Sequence, residues 1–355
     1  TSWLFSLLII TSALHAGAQD WHELDGPFDY QLTDDGTGYI IYPLNGETYG
    51  NDLIVPSRRE SDGLPVVGVD GFQYQKSFLF IAFPEDSQVK YIGSFEGCTG
   101  IEFVDNIPKT VETIGDYAFY GCTRLSDVTL NEGLQYIGIS CFEGCTSLTS
   151  IKLPSTLKVL RENAFRVCTA LETVEFDDGI DFYDNFSYGF YNNVFDGCEN
   201  LHTVKLPYNP DTTFVIPMAT FSWCGNLKSI EFPANTRRIE QMAFYRTGIE
   251  NLDFTTITSD VFVEGYYTFS ACNNLQSVKA NGNFKFGSTS LYTFQDCKAL
   301  KTVTINGSGD DYIKITPDAF RFCDNLESVE VYRLKGSGEP NEMDSVFVGC
   351  KKLQR

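Results

Sequence analysis

The chain is poor in histidine, with only three residues of this type, His15, His22 and His202. Catalytic triads that use histidine and multi-histidine zinc sites therefore have almost nothing from which to be built. The sequence also lacks a phosphate-binding glycine loop of standard spacing and a Gly-x-Ser-x-Gly nucleophile motif. We therefore expect a protein that is not an enzyme, with no catalytic residue, no metal site and no cofactor.

Positive charge is also scarce. Lys and Arg total 26 against 47 Asp and Glu, which gives a formal net charge of −21. Binding to nucleic acid or to an anionic membrane surface requires a cationic surplus, so neither is expected. Beyond the N-terminal segment, no stretch approaches the ~18 consecutive apolar residues of a membrane-spanning helix. We expect no membrane insertion of the mature chain.

The N-terminal segment has the pattern of an export signal. An apolar stretch from Trp3 to Ile10 is followed by the small residues Ala16, Gly17 and Ala18. This order is typical of a signal peptide with a small-residue cleavage site, and it predicts a signal over residues 1–18. The protein is therefore expected outside the cell or on its surface.

An internal repeat is the strongest signal in the sequence. Its core is Phe-x-x-Cys-x-x-Leu-x-x-(Val/Ile), as in Phe119, Cys122, Leu125 and Val128. The repeated phenylalanines are Phe72, Phe95, Phe119, Phe142, Phe165, Phe195, Phe221, Phe244, Phe269, Phe294, Phe320 and Phe347. Twelve copies spaced by 23 to 30 residues predict a solenoid, because one such unit cannot bury its apolar face alone.

The fold class that follows is a β-rich solenoid of about twelve stacked coils with short strands. Alternation around Val128 predicts one strand per coil, and the second half of each copy has extended or turn character. Residues 19–63 lack the repeat and are expected to cap the open N-terminal end with β-structure. Residues 64–355 form the predicted solenoid. Since the last copy stops at Leu353, before its strand, we expect the solenoid to continue in a longer protein.

The repeat resembles the BspA-like leucine-rich repeat family. The residues that carry the resemblance are Gly121, Cys122 and Leu125, the Leu153-Pro154 corner, and the Ile-Gly-x-x-Ala-Phe stretch that ends at Phe119. The resemblance implies a surface protein that adheres to extracellular-matrix proteins. We accordingly expect an adhesion scaffold that presents a solenoid face to an extracellular protein or glycan. The alternative is a glycan-capture or spacer module of a longer protein with a catalytic or anchoring domain beyond residue 355.

Ten of the eleven cysteines occupy the same position of the repeat. One thiol per coil forms a ladder with steps of about 5 Å, whereas disulfide Cβ atoms lie about 3.8 Å apart. We therefore expect free, inward-facing thiols that act as small apolar side chains. Cys141 is the exception, in a position that other copies fill with Ala.

Exposed strand positions provide a first candidate binding surface. Opposite charges alternate along neighbouring coils at Lys152, Glu175, Lys205 and Glu231. Such a row is either a self-neutralised, solvated face or a docking surface for a polar partner. No column of exposed aromatic side chains is expected on this face.

The longest repeat provides a second candidate. Residues 177–199 contain six acidic residues and no basic residue, together with a cluster of rings. Insertions in solenoids become loops that often bind partners. The candidate residues are Asp181, Phe182, Tyr183, Phe186, Tyr188, Phe190 and Tyr191. Alternatively, the rings fill the core and the acids are solvated. Calcium also remains open, although the spacing matches no EF-hand loop.

Overall fold

The computed structural model describes residues 26–44, 49–180, 192–257, 259–307, 313–332 and 345–353. Within these ranges the chain forms a β-solenoid in which each repeat contributes up to two short strands. The strands fall into two rows along the stack, which we call the first and second ladders. Leucine-rich repeat coils stacked in this way confirm the predicted fold class.

The first ladder contains the strands around the repeated Val or Ile, and it consists of three parallel sheets. These are β3 (Asp52–Ile54), β5 (Phe80–Ala82), β7 (Phe103–Asp105) and β9 (Asp127–Val128); β11 (Ser150–Leu153), β13 (Thr173–Phe176) and β14 (Thr203–Lys205); and β17 (Asn251–Asp253), β19 (Ser277–Asn281), β21 (Thr302–Asn306) and β22 (Ser328–Val331).

The second ladder comes from the second half of each repeat and consists of two sheets. These are β1 (Phe28–Leu32), β2 (Tyr39–Pro43), β4 (Val66–Val69), β6 (Tyr91–Ile92), β8 (Thr113–Ile114), β10 (Tyr136–Ile137) and β12 (Val159–Leu160); and β15 (Phe214–Ile216), β16 (Thr236–Ile239), β18 (Val261–Val263) and β20 (Phe284–Phe286). The sequence indicated extended character here but not a continuous ladder.

The N-terminal strands join the same two ladders. β1 lies at the edge of the second ladder and pairs antiparallel with β2, which in turn pairs parallel with β4. β3 pairs parallel with β5 in the first ladder. One antiparallel strand therefore covers the backbone edge that the first parallel strand of the second ladder would otherwise expose.

Irregular repeats coincide with interruptions of the ladders. The second ladder stops at β12 and resumes at β15, and the 30-residue repeat between Phe165 and Phe195 lies in this interval. The first ladder is interrupted between β14 and β17, where Glu231 lies outside any strand. Hydrogen bonding between coils thus depends on an almost constant repeat length.

A single row of phenyl rings runs through the core. All twelve repeat phenylalanines take part, with ring centroids 5.1 to 5.7 Å apart and interplanar angles of 3 to 22° between neighbours. Eleven successive contacts correspond to about eleven turns of the solenoid. Ring spacing follows the strand spacing of about 4.8 Å, because each ring is attached to one coil.

Two residues after each phenylalanine the backbone reaches a tight turn, at a position that we call the turn slot. Five repeats place glycine in this slot, and all five have positive φ: Gly97, Gly121, Gly144, Gly197 and Gly349. Val167, Trp223 and Arg246 occupy the same slot with φ of 57, 61 and 58°. A left-handed conformation is unfavourable for these residues by about 1–2 kcal/mol each, so stacking of the coils imposes it.

The described part of the chain contains no helix long and apolar enough to cross a membrane.

Candidate functional site

The exposed side of the first ladder, which we call the first-ladder face, brings three of the four charged candidates together: Lys152, Glu175 and Lys205. Register pairs Lys152 with Glu175 and Glu175 with Lys205 across β11, β13 and β14. Lys205 Nζ lies 3.9 Å from Glu175 Oε1 and 3.5 Å from Asp178 Oδ2. Lys152 Nζ instead lies 3.0 Å from Asp177 Oδ1, which raises the pKa of Lys152 through that hydrogen bond. Exposed pairs of this kind contribute little to stability, because solvent screens them.

Glu231, the fourth candidate, lies where the first ladder is interrupted. Its side chain is exposed, and it forms no ion pair with a residue that the structure describes. The row of alternating charge therefore extends over three strands and not four.

The same face carries an aromatic pair that the sequence analysis did not identify. Phe80 and Phe103 lie on β5 and β7 in direct register, with ring centroids 5.6 Å apart and planes at 3°. Phe103 is 37% exposed, and later strands carry short polar residues at this position. The expectation that this face carries no column of exposed rings is therefore wrong for β5 and β7. Aromatic side chains, phenylalanine included, are enriched in protein–protein interfaces relative to the rest of the surface.

The insertion candidates lie outside the described residues. These are Asp181, Phe182, Tyr183, Phe186, Tyr188, Phe190 and Tyr191. The coil just before them contacts residues 208–217, which also depart from the repeat, since Gly179 N donates to the Tyr208 carbonyl at 3.1 Å. Asn209 Nδ2 donates in turn to the Gly179 carbonyl at 3.3 Å. Gly179 and the Tyr208–Asn209 stretch therefore lie side by side in neighbouring coils.

The cysteines are free, and ten of the eleven are buried, with Cys350 partly exposed. This confirms the prediction of inward-facing thiols. Each thiol of the ladder also donates a hydrogen bond of 3.0 to 3.3 Å to the backbone carbonyl of the phenylalanine one repeat earlier. Burial raises the pKa of Cys168 to about 12 and that of Cys272 to about 11, so these thiols are poor nucleophiles.

A cleft of about 730 Å³ opens on the turns of the Phe221, Phe244, Phe269 and Phe294 repeats. Its lining combines rings, amides and charge, and includes Trp223, Tyr245, Arg246, Tyr267, Asn274 and Gln295. The Trp223 side chain is 47% exposed. The Arg246 guanidinium lies 4.3 Å from the centre of the Trp223 ring and 5.4 Å from that of Tyr245. No motif in the sequence points to a function for this region.

The cleft forms where the turn after one repeat phenylalanine, Phe244, is one residue shorter than the corresponding turn of the preceding repeat. Only five residue steps separate Phe244 from Ile249, against six between Phe221 and Leu227. The shortened turn packs closely on the preceding one, because a Cβ atom on Gly248 would lie 2.1 Å from the Gly225 carbonyl oxygen. Thr247 fills the cysteine position, and its hydroxyl lies 3.2 Å from the Cys272 sulfur.

Across the described ranges, no group of three or more His, Cys, Asp and Glu side chains is arranged to hold a metal ion.

The chain is similar to several solved leucine-rich repeat proteins. A leucine-rich repeat protein from Bacteroides ovatus is 22% identical over 94% of this chain and 81% of its own length, with a TM-score of 0.68. The T. pallidum leucine-rich repeat protein is 30% identical over 57% of this chain and 88% of its own, with a TM-score of 0.47. A leucine-rich cell surface protein from Faecalibacterium prausnitzii is 18% identical over 94% and 99% of the two chains, with a TM-score of 0.47.

No curated protein matches the chain. The family model described as the BspA type leucine rich repeat region matches six copies, over residues 67–192, 188–327 and 251–354. These matches cover most of the sequence and agree with the repeat observed in the fold. They indicate a repeat-based scaffold suited to protein binding. The chain belongs to the BspA-type leucine-rich repeat family.

Proposed function

We propose that the protein is an exported, non-catalytic adhesion scaffold whose first-ladder face binds an extracellular protein. The observation that carries the proposal is the stacked Phe80–Phe103 pair on a parallel sheet, in which Phe103 is exposed and Phe80 is partly exposed. Stacked rings already held in register lose little conformational freedom when a partner covers them. The charges at Lys152, Glu175 and Lys205 lie on β11, β13 and β14, two to four coils beyond Phe103, and extend the same face as a polar surface.

The signal-like pattern of residues 1–18 supports export, and removal of this segment would leave a mature chain of two parts. Residues 19–63 act as an N-terminal cap and residues from 64 onward as the binding solenoid. The edge position of β1 favours this assignment, because an antiparallel edge strand limits pairing with other chains. The insertion at 181–191 remains a second candidate contact in this proposal.

The test measures binding of the chain to immobilised fibronectin, laminin and collagen by surface plasmon resonance. Phe80→Ser combined with Phe103→Ser should weaken binding at least tenfold. Phe262→Ser is the matched control, because Phe262 is a 40% exposed phenylalanine on β18 of the second ladder. We expect the control to bind like the wild type.

Two results would contradict the proposal. Equal binding of the double variant and the wild type would remove the first-ladder face from consideration. No binding of the wild type to any of the three matrix proteins would contradict adhesion to the matrix itself.

A further inference from the structure

We propose that the cleft at the shortened Phe244 turn binds an acidic sugar residue of a glycan, with Arg246 contacting its carboxylate or sulfate. The cleft is a different surface from the first-ladder face. The proposal rests on the proposed function only in that export brings the chain to extracellular glycans.

Arg246 is the first part of the argument. Its Nε donates to the Tyr245 hydroxyl at 3.0 Å, and its guanidinium stacks on Trp223. Within the described ranges no carboxylate lies close enough to form an ion pair with it, whereas Arg166, Arg238 and Arg321 each have such a partner. In a chain with a net charge of −21, an arginine held by rings and outside any ion pair is unusual. Asp296 also lines the cleft, but its carboxylate is paired with Lys298, whose Nζ lies 2.8 Å from Asp296 Oδ1. Its terminal nitrogens remain available for the two-point recognition that guanidinium gives to a carboxylate or sulfate.

Asn274 is the second part. In other repeats, the asparagine five residues after the phenylalanine donates to the preceding coil. Asn200 reaches the Thr169 carbonyl at 2.9 Å, Asn226 the Asn200 side chain at 3.1 Å, and Asn325 the Lys298 carbonyl at 2.7 Å. Asn274 lies in the coil after the shortened turn, where the corresponding residue is missing, and its side-chain amide bonds to no described residue. The deletion thus leaves an exposed amide directed to the cleft side of the stack without a protein partner.

Gln295 adds a third polar group. Its Nε2 donates to Asp296 Oδ2 at 3.0 Å, while its Oε1 is buried without a hydrogen-bond partner. Buried polar atoms are nearly always paired, so an unpaired acceptor in the lining of a cleft points to a donor supplied from outside the chain. A sugar hydroxyl is both a donor and an acceptor, and it therefore suits Gln295 and Asn274 together.

The ring surface favours a sugar over a peptide. Trp223, Tyr245 and Tyr267 offer flat faces and polar edges, which match the C–H faces and the hydroxyl edges of a pyranose. A volume of about 730 Å³ lies within the range of small-molecule sites and accommodates one or two sugar rings. The cleft lies on the turns and not at a strand edge, so a peptide cannot add to it as an extra strand.

The test titrates the chain with 3′-sialyllactose and a hyaluronan hexasaccharide, followed by tryptophan fluorescence and saturation-transfer NMR. Lactose is the neutral counterpart and tetraglutamate is the acidic peptide. The variants are Arg246→Gly, Trp223→Gly and Asn274→Ala. Glycine is chosen for the first two because five repeats already carry it in the turn slot with positive φ, so the fold is expected to persist. Val167→Gly is the matched control for a glycine placed in the turn slot. Arg321→Ala is the matched control for the loss of an arginine that stacks on a ring.

We expect at least one acidic sugar to bind at least tenfold more tightly than lactose and tetraglutamate. Arg246→Gly and Trp223→Gly should each weaken this binding at least tenfold, Asn274→Ala should weaken it severalfold, and the controls should bind like the wild type. Undetectable binding of both acidic sugars, undiminished binding by Arg246→Gly, or tetraglutamate binding as tight as that of the sugars would overturn the proposal. Because the assay uses purified sugars, its failure is distinguishable from a failure of matrix-protein binding by the first-ladder face.

Discussion

The thiol of Cys145 donates a hydrogen bond of 3.2 Å to the backbone carbonyl of Phe119, one repeat earlier in the chain. The same bond recurs along the ladder, so each cysteine both fills the core and ties its coil to the preceding one. A buried carbonyl without this donor would lose a favourable contact that no water replaces. The cysteine position therefore serves stacking as well as packing.

Replacing Cys145 with Ala should lower the free energy of unfolding by about 1–3 kcal/mol, because it removes a buried sulfur and its hydrogen bond. Urea unfolding followed by circular dichroism measures this change. Cys350→Ala is the matched control and should have a smaller effect, since Cys350 is only partly buried. Equal losses for the two variants would contradict a role of burial in the effect.

Stability should fall as the pH rises above about 8.5, where the thiols of the unfolded chain begin to ionise. In the folded chain burial raises the pKa of Cys168 to about 12 and that of Cys272 to about 11. The folded state therefore keeps protons that the unfolded state releases, and the stabilisation present below pH 8.5 is lost progressively up to about pH 12. Urea unfolding at pH 7.5, 9.0 and 10.0 measures the slope.

Cys272→Thr is the control for this pH dependence, because Thr247 already occupies the cysteine position in one repeat. The free energy of unfolding of this variant should fall less steeply with pH, because unfolding then releases one proton fewer. The slope should be smaller by about 1.4 kcal/mol per pH unit. Constant stability of the wild type between pH 7.5 and 10 would contradict the raised thiol pKa values.

Two glycines, one in the turn slot and one outside it, should respond differently to replacement by alanine. A Cβ atom added at Gly121 or at Gly50 would meet nothing within 4 Å, but only Gly121 has positive φ, at 67°. Gly121→Ala should therefore lower the free energy of unfolding by about 1–2 kcal/mol, whereas Gly50→Ala should leave it unchanged or raise it. Thermal unfolding of the two variants provides the measurement. Similar values for both would show that the backbone conformation at Gly121 carries no strain for alanine.

The repeat period predicted the solenoid because each Phe and each Cys recurs at one position of a coil. Once coils of nearly constant length stack in parallel, Phe119 has to lie beside Phe142. The hydrogen bonds of the thiols were not predictable from the same pattern, since they depend on the orientation of a backbone carbonyl in the preceding coil. The continuity of the second ladder was also not predictable, because its strands are short. Tyr136 and Ile137, for example, form a strand of only two residues, which gives little propensity signal.

The candidate sites were less predictable than the fold. Lys152, Glu175 and Lys205 were correctly placed in one row, but Glu231 was not, because its coil lies outside the hydrogen-bonded ladder. The one-residue deletion before Ile249 was visible in the sequence, yet the cleft beside it depends on how closely Gly248 packs on the preceding coil. Spacing alone carries no such information.

The most direct test of the central claim, that every repeat is one coil of a single stack with its thiol inside, is labelling of native cysteines by iodoacetamide at pH 8 with detection by mass spectrometry. After unfolding in guanidinium without reductant, all eleven cysteines should be labelled, since none is in a disulfide. In the native chain we expect label at Cys350 at most. Rapid native labelling of several ladder cysteines, or a denatured mass that lacks pairs of labels because of disulfides, would contradict the account.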